Sequence, residues 1–384
     1  MKVCIITSNR ADFGLLKNLI LKIKSEKYFK LKIIASGTHF SKKFGYTYNE
    51  IKESKIKVDK RIKCEFNSDD SRSISKVISK CILDSSKIYK IFKPDLIIVL
   101  GDRYEILGSV ISAHISRIPI AHIHGGEVTK GVIDDAFRHS ITKMSHFHFV
   151  ANSVYKKRVI QLGESPKNVY VVGGLGVDSI SKTKFLNRNN LEKKFNFKFN
   201  KVNFIINFHP ETLNKNLAKK HINELLLTLK KLKDTNLIFT VPGPDLENKV
   251  VIKLIKKFIF KNKNAYYFKS LGQLNYFSFL NQIDGMIGNS SSGLLEMPYF
   301  KKGTINLGKR QSGRMFSNSV INVNIKRKEI NFAIKRILSK KFLKKIKNNK
   351  IPYGLPGATS KIIKILKKIK TKKILDKNFF DIKI

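Results

Sequence analysis

The sequence predicts an α/β protein built from two Rossmann-like domains with a central cleft. Three observations lead to this prediction. Short β-branched apolar runs alternate with amphipathic helical stretches, which is typical of the β-α-β units of a parallel sheet. One polar stretch interrupts the alternation near the middle of the chain. The length of 384 residues also exceeds what one hydrophobic core ordinarily supports, so two domains are expected.

The first domain is predicted over residues 1–180. It opens with the apolar run Lys2–Thr7, which is followed by leucines and isoleucines at helical spacing between Leu15 and Ile23. Residues 95–101 form a continuous apolar run, as expected for a parallel strand that is buried on both faces. The further predicted elements are strands at 31–36, 118–124 and 147–152 and helices at 71–92, 104–117 and 134–146.

The polar, Asn- and Lys-rich residues 181–201 are predicted to be a linker, and residues 202–355 the second domain. A terminal helix at 361–373 is expected within the last segment, 356–384, and to pack back on the first domain. The second domain's predicted strands are 202–208, 236–241, 265–269, 284–289 and 303–308, and its helices are 216–232, 246–262, 272–281 and a short helix from Ser291.

The composition is strongly basic, with 76 Lys and Arg against 28 Asp and Glu and a formal net charge of +48. Nucleic-acid binding would use such a charge. The lysines are instead spread through every segment, with no interleaved aromatic patch and no nucleic-acid motif. We therefore expect solvated helix faces and no nucleic-acid partner, although the charge could steer anionic substrates.

Membrane and metal signals are weak in the sequence. No apolar run approaches the roughly 20 residues that a membrane helix needs, and the N-terminus does not resemble a signal peptide. Cys4, Cys64 and Cys81 have neither metal-ligand spacing nor a paired framework. A cytoplasmic protein with reduced core thiols and no membrane contact is therefore expected.

Polar residues that follow predicted strands are the candidate site residues, because open parallel sheets bind ligands beyond the carboxyl ends of their strands. Arg10 follows the first strand and could meet a phosphate, or the turn could merely begin a helix with Asp12 near its cap. Asp102 and Arg103 follow the strand at 95–101, where they could act on a ligand or neutralise each other.

Three histidines, three carboxylates and an arginine lie around Gly125-Gly126, from His122 to His139. The pair His122-x-His124 suggests zinc, but no third ligand is indicated. Acid–base groups beside a flexible Gly-Gly backbone are the alternative interpretation. One of the aspartates could instead cap the next helix. The acid–base candidates here are His124, Glu127, Asp134 and Asp135.

The second domain carries a group of potential nucleotide ligands. His209 follows its first strand, and Ser290 and Ser291 open a short helix in the sequence GNSSSGLLE, where hydroxyls and backbone amides could cradle a phosphate or simply cap the helix. Glu296 is close enough to hold a ribose. Arg310 and the nearby Arg314 could add positive charge.

Taken in order, these motifs resemble those of the hydrolysing UDP-N-acetylglucosamine 2-epimerases of sialic-acid synthesis. The matching segments are TSNRADFGLL, VLGDRYEI, IPIAHIHGGEVTKGVIDDAFRHSITKMSHFHF, FHPETL, IGNSSSGLLE and INLGKRQSGR. The resemblance implies a GT-B-like pair of Rossmann domains, a nucleotide-sugar substrate, no cofactor or metal, and a homodimer. It also implies a reaction in which carbon 2 loses a proton as UDP leaves carbon 1, after which water adds to the glycal and N-acetylmannosamine is released.

The resemblance also implies roles for single residues. It places Arg103 close to the diphosphate or sugar and Glu296 on the ribose. His124 stands where related enzymes often carry Glu, and Gly243 stands where an Asn often contacts the base or ribose. The remaining implied groups are Arg10, His209, Ser290, Ser291 and Arg310 on the nucleotide diphosphate, and Asp102, His124, Glu127, Asp134 and Asp135 as acid–base candidates.

Three alternatives stay open at this point. Relatives with the same motifs act on UDP- or GDP-linked 2,4-diacetamido-2,4,6-trideoxy sugars, such as N,N'-diacetylbacillosamine of the legionaminic acid pathway. A GT-B glycosyltransferase shares the two-domain architecture but needs an acceptor site. The non-hydrolysing epimerases keep UDP on their product.

Overall fold

The computed structural model describes residues 1–42, 45–66, 70–130, 132–210, 217–240, 248–268, 271–369 and 374–382. Gly243 and the end of the FHPETL segment lie outside these residues. The chain forms two compact units. Unit 1 consists of Met1–Glu127, Asp134–Ser179 and Tyr353–Ile384, and unit 2 consists of Val128–Ile133 and Ile180–Pro352.

The described part of unit 1 contains a seven-stranded parallel sheet in the order β3-β2-β1-β4-β5-β6-β7. Its strands are β1 (Lys2–Thr7), β2 (Lys30–Ala35), β3 (Lys60–Arg61), β4 (Leu96–Leu100), β5 (Ile120–Ile123), β6 (Phe147–Val150) and β7 (Val169–Val171). The helices are α1 (Arg10–Ser25), α2 (Tyr48–Glu53), α3 (Ser71–Phe92), α4 (Tyr104–Ile115), α5 (Asp134–Met144), α6 (Ser153–Gln161) and α7 (Leu175–Ser181).

Both faces of this sheet are covered, which explains the continuous apolar runs of its central strands. Along β1, Val3 and Ile5 pack in one hydrophobic cluster with Leu16 and Ile20 of α1. The alternate side chains of β1 pack in a second cluster, with residues of α3 and α4. The strand order places the carboxyl ends of β1, β4 and β5 side by side.

The described part of unit 2 contains a six-stranded parallel sheet in the order β10-β9-β8-β11-β12-β13. Its strands are β8 (Val202–Asn207), β9 (Thr235–Thr240), β10 (Ala265–Phe268), β11 (Gly285–Gly288), β12 (Gly303–Leu307) and β13 (Val320–Val323). The helices are α8 (Arg188–Phe195), α9 (Leu217–Leu229), α10 (Asn248–Lys261), α11 (Gly272–Gln282), α12 (Ser292–Leu295), α13 (Arg327–Ile337) and α14 (Lys340–Ile346). Two parallel, helix-covered sheets confirm the predicted α/β class.

Residues 181–201 are not a linker, contrary to the prediction. They contain α8, and Leu191 and Phe197 are buried in a cluster with Ile205 and Phe279 of unit 2. The few apolar residues of this stretch are widely spaced among Lys and Asn. Its composition therefore resembles that of a linker, although the segment packs on the sheet of unit 2.

The last helix, α15 (Ala358–Leu366), begins three residues earlier than the predicted 361–373 and belongs to unit 1. Ile362 and Leu366 pack in the cluster that contains the buried side chains of α1. The Asp178 carboxylate accepts hydrogen bonds from the backbone N–H groups of Ala358, at 3.1 Å, and Thr359, at 2.6 Å. This contact fixes the first turn of α15 against α7. Among the described residues, no helix has both the length and the apolar character needed to cross a bilayer.

Gly288 closes β11 at a point where no side chain fits. Its φ is 153°, and an added Cβ would overlap the backbone carbonyl oxygen of Asn207. We expect Gly288→Ala to lower the free energy of unfolding by about 3 kcal/mol or more, because the overlap involves backbone and cannot relax cheaply. Urea unfolding followed by circular dichroism measures the loss.

Gly272→Ala is the matched control, since Gly272 has a φ of 66° but open space around its Cα. Its cost should be only the backbone strain of about 1–2 kcal/mol. Equal losses for the two variants would show that the overlap at Gly288 does not matter.

Candidate active site

Asp102 and Arg103 follow β4, but they do not neutralise each other. Asp102 forms an ion pair with Arg138 of α5. Arg103 Nε lies 3.2 Å from Glu105 Oε2, and its Nη1 lies 3.8 Å from Asp134 Oδ1. Burial opposes the charge of Arg103, but the attraction of these carboxylates outweighs it and raises the pKa of Arg103. The loop therefore presents two separately paired charges.

Arg138 is the centre of the candidate acid–base group, although sequence reasoning did not select it. Its side chain is only 1% exposed. One guanidinium nitrogen donates to Asp135 Oδ1 and to the backbone carbonyl of Glu127, both at 2.9 Å, and the other pairs with Asp102. The spacing of three residues between Asp135 and Arg138 on one helix face was the available signal.

Asp134 and Asp135 do not cap α5, since Asp134 is already the first helical residue. Asp135 also lies 3.6 Å from the Nε2 atom of His139, through its other carboxylate oxygen. Both aspartates are thus held by cationic or imidazole partners on unit 1.

His124 and Glu127 form a buried pair just beyond β5. The Nδ1 atom of His124 lies 2.7 Å from Glu127 Oε1, and His124 has a φ of 66°, which turns the chain sharply there. Because a carboxylate only accepts, Nδ1 carries the hydrogen in this bond. The Nε2 atom is buried and has no hydrogen-bond partner among the described residues. His124 therefore has the arrangement of a proton-transfer group that is oriented by a carboxylate.

His122 has a different role from His124. Its Nε2 lies 2.8 Å from the Gly101 carbonyl oxygen, and its Nδ1 lies 3.0 Å from Thr142 Oγ1. Complete burial lowers its pKa to about 3, so the ring is neutral at physiological pH. Both ring nitrogens are thus occupied by protein groups, one directly after β4 and one on α5. Within the described residues, no three His, Cys, Asp or Glu side chains are grouped as metal ligands.

Gly126 allows the close turn that places Glu127. Its φ is 77°, and a Cβ there would lie 2.5 Å from the Tyr155 carbonyl oxygen. Arg158 Nη1 donates to the Gly126 carbonyl at 2.6 Å. The backbone around the candidate acid–base residues is therefore tied to α6 as well as to α5.

The turn before α1 is fixed by Asp12. The Asp12 carboxylate accepts from Thr7 Oγ1 at 2.5 Å and from the backbone N–H of Ser8 at 2.8 Å, and Asn9 caps the helix. Burial raises the pKa of Asp12, and these hydrogen bonds oppose that rise. The capping role assigned to Asp12 is thus real, and it coexists with a half-buried Arg10 at the helix start.

Asn289 organises the candidate nucleotide residues of unit 2. The backbone N–H of His209 donates to Asn289 Oδ1 at 2.7 Å, and Asn289 Nδ2 returns a bond to the His209 carbonyl at 2.8 Å. The Asn289 carbonyl accepts from Arg310 Nη1 at 3.2 Å and Gln311 Nε2 at 2.8 Å. Asn289, which was not among the predicted site residues, joins the ends of β8 and β11 to the loop after β12.

The serines of unit 2 divide into two kinds. Ser292 Oγ accepts from the Tyr276 hydroxyl at 2.7 Å and is part of the scaffold. Ser290 and Ser291 are half-buried and precede α12, where Ser291 makes no side-chain cap hydrogen bond. Glu296 follows α12 and is buried. Of the predicted pair, Ser290 Oγ also accepts from the backbone N–H of Ser292, at 3.4 Å.

Arg314 contacts the short segment Val128–Ile133, which belongs to unit 2. Its Nη2 atom donates to Thr129 Oγ1 at 3.2 Å. A Cβ at Gly313 would lie 2.7 Å from Val128 Cγ1, so the chain approaches this segment closely. Val128, which directly follows Glu127, therefore packs against the loop that also carries Arg310.

Comparison with known proteins identifies the family. The family model for UDP-N-acetylglucosamine 2-epimerase matches residues 21–367. A GDP/UDP-N,N'-diacetylbacillosamine 2-epimerase (hydrolyzing) from Campylobacter jejuni is 40% identical over 383 residues, covering 99% of both chains. The polysialic acid biosynthesis protein P7 of Escherichia coli is 33% identical over 383 residues, covering 99% of this chain and 97% of that protein.

A solved structure supports the fold. The UDP-GlcNAc 2-epimerase from Neisseria meningitidis bound to UDP-GlcNAc matches with a TM-score of 0.84 at 19% identity, covering 96% of this chain and 100% of that chain. This match confirms the predicted GT-B-like pair of α/β domains. Since one family model covers most of its residues, the chain belongs to the UDP-N-acetylglucosamine 2-epimerase family.

Proposed function

We propose that the chain is a hydrolysing 2-epimerase whose substrate is N,N'-diacetylbacillosamine linked to UDP or GDP. The observation that carries this proposal is the 40% identity to the hydrolysing epimerase of Campylobacter jejuni over 99% of both chains. The products would be the free 2-epimer, 2,4-diacetamido-2,4,6-trideoxymannose, and the nucleoside diphosphate. The geometry of unit 1 supports the reaction type, because Asp102 and the His124–Glu127 pair are two distinct candidates for proton transfer.

The proposed first step is an elimination. A base takes the proton from carbon 2, a carbon–carbon double bond forms between carbons 1 and 2, and the diphosphate leaves carbon 1. Asp102 suits the base, since its ion pair with Arg138 holds the carboxyl group in a fixed orientation. Cationic groups suit the leaving diphosphate. Arg10, Arg103 and Arg310 are the proposed cations.

The proposed second step is a hydration. Water adds its hydroxyl to carbon 1 of the glycal, and a proton is delivered to the other face of carbon 2. His124 suits this transfer, because Glu127 binds its Nδ1–H and would stabilise the ring when Nε2 is protonated. Glu127 would then be a positioning residue. The Asp134–Asp135 pair would hold Arg103 and Arg138 in place rather than react.

Unit 2 is proposed to bind the nucleotide. His209, Ser290 and Ser291 would contact the diphosphate, and Glu296 would accept hydrogen bonds from ribose hydroxyls. The support is that Asn289 fixes the backbone of His209 and the side chain of Arg310 together, which places a ring, hydroxyls and a guanidinium in one group of loops.

UDP-N-acetylglucosamine is the second candidate substrate, with N-acetylmannosamine as its product. The 33% identity to a polysialic acid biosynthesis protein favours it, since that reaction would serve sialic-acid synthesis. A homodimer stays a prediction from the family resemblance, and a cytoplasmic location stays a prediction from the pattern of cysteines.

The substrate prediction is tested by supplying the UDP- and GDP-linked diacetamido sugars and UDP-N-acetylglucosamine to the purified chain in deuterated water. Proton NMR should show a nucleoside diphosphate and a free sugar deuterated at carbon 2. We expect kcat/KM to favour a diacetamido substrate by about 10²-fold, because the two sugars differ in polar groups at carbons 4 and 6. A preference for UDP-N-acetylglucosamine would establish the second candidate, and transfer of an intact sugar to an acceptor would instead indicate a glycosyltransferase.

The two proton-transfer roles are separated by Asp102→Asn and His124→Gln. Both should lower kcat by about 10²–10⁴-fold. Asp102→Asn should block release of the diphosphate, whereas His124→Gln should release it and accumulate the glycal, which NMR detects by its vinyl proton. Accumulation of glycal by Asp102→Asn, and none by His124→Gln, would reverse the two assignments. Arg72→Met, an exposed change on α3, is the control and should retain full activity.

Arg138→Met should lower kcat by at least about 10²-fold and the free energy of unfolding by about 3–5 kcal/mol, because it leaves Asp102 and Asp135 without their shared partner. Arg138→Lys separates the two effects. It keeps the charge and should recover part of the stability, but one ammonium cannot contact all three partners, so activity should stay low. Wild-type kcat in Arg138→Lys would show that charge alone is required.

A further inference from the structure

Two of the three cysteines meet in the interior of unit 1. Cys64 follows β3 and Cys81 lies in α3, and their sulfur atoms are 3.7 Å apart. Both side chains are buried. The sequence separates them by 17 residues and gives no sign of a pair, so they were expected to be independent core thiols. Cys4 in β1 is the third thiol. Among the described residues, it makes no hydrogen bond to another cysteine.

The two thiols are chemically unequal. The hydrogen bond between the two sulfur atoms lowers the pKa of Cys64, burial opposes this lowering, and the backbone N–H of Gly37 adds to it. The same hydrogen bond, together with burial, raises the pKa of Cys81. Because the two sulfur atoms are in contact, one can attack an oxidant and the other can then resolve the product.

We propose that Cys64 and Cys81 are a redox modification site, which forms a reversible intramolecular disulfide when hydrogen peroxide is present. The Cys64 thiolate attacks the peroxide oxygen, which breaks the O–O bond and gives a sulfenic acid and the first water after protonation. The Cys81 sulfur then attacks the Cys64 sulfur, the S–O bond breaks, and the hydroxide leaves as the second water with the Cys81 proton. Two thiols lose two electrons, and the peroxide gains them.

The disulfide requires a modest movement. A disulfide bond is about 2.05 Å long, so the sulfur atoms must approach by about 1.7 Å from their present separation. Gly108 of α4 lies against Cys81, since a Cβ at Gly108 would be 2.8 Å from Cys81 Cβ. The close approach of α3 and α4 at this glycine therefore limits how far Cys81 can move toward α4.

The pair lies near the loop that carries Arg103. A Cβ at Gly37, whose N–H neighbours Cys64, would be 3.0 Å from Glu105 Oε1. Glu105 in turn binds Arg103. Movement of Cys64 on oxidation should therefore disturb Arg103. This consequence rests on the proposed function, whereas formation of the disulfide does not.

The site is tested by counting thiols in the full chain. Reduced protein and protein treated with hydrogen peroxide are alkylated in denaturant and weighed by mass spectrometry. The reduced chain should carry three labels and the oxidised chain one, with a peptide that joins Cys64 to Cys81, and dithiothreitol should restore all three. Cys4→Ala should change from two labels to none. Cys81→Ala should stop at a sulfenic acid on Cys64, which dimedone traps.

Three results would overturn the proposal: three labels after a peroxide dose that oxidises free glutathione, a disulfide between chains, or a linkage that includes Cys4. The wild-type peptide map decides this even where a variant fails to fold. Activity is then compared between the reduced, oxidised and re-reduced wild type. We expect a reversible loss of about tenfold in kcat, since a displacement of about 1 Å can cost up to about 10²-fold.

The two failures are distinguishable. A reduced wild type that is inactive on every nucleotide sugar would refute the proposed function and leave the thiol count to decide the disulfide. A disulfide that forms without any change in kcat would refute the connection to Arg103 alone.

Discussion

The buried guanidinium of Arg138 is the constraint on which the candidate acid–base group depends. Removing such an ion from water costs several kcal/mol, and this cost is offset only where charges and hydrogen bonds surround it in good geometry. Arg138 finds Asp102 from the loop after β4, Asp135 from its own helix and the Glu127 carbonyl from the loop after β5. The planar fork can satisfy all three at once, so the guanidinium fixes the relative positions of three loop and helix ends.

In unit 2, a neutral side chain takes the place of a buried ion in holding the loops of the candidate site. The amide of Asn289 both donates to and accepts from the backbone of His209, and its carbonyl holds Arg310 and Gln311. A neutral centre orders these loops without the desolvation cost of a buried ion. That arrangement suits the proposed anion-binding role of unit 2, and the ion pairs of unit 1 suit its proposed proton-transfer role.

The sequence predicted the α/β class because buried parallel strands leave continuous apolar runs, as at β4. It missed β3, β7 and β13, because these short strands lie at the edges of the two sheets, where few side chains are buried and no continuous apolar run is needed. It missed Arg138 because it searched the residues that follow strands, while Arg138 approaches from a helix and meets Asp102 across 36 positions. His122 and His124 are equivalent in sequence, and only their burial and hydrogen-bond partners distinguish a scaffold ring from the proposed reactive one.

The motifs define the type of reaction better than they define the sugar of the substrate. Elimination and hydration involve carbons 1 and 2 and the diphosphate, which the two candidate substrates share. The residues that sequence and structure single out are those suited to these shared parts: Asp102, His124, Arg310 and their partners. The sugars differ at carbons 4 and 6, where a few side chains of ordinary type can decide between them. Identity along the whole chain includes those side chains and the motifs do not, which is why the 40% identity to a diacetylbacillosamine enzyme outweighs the resemblance of the motifs.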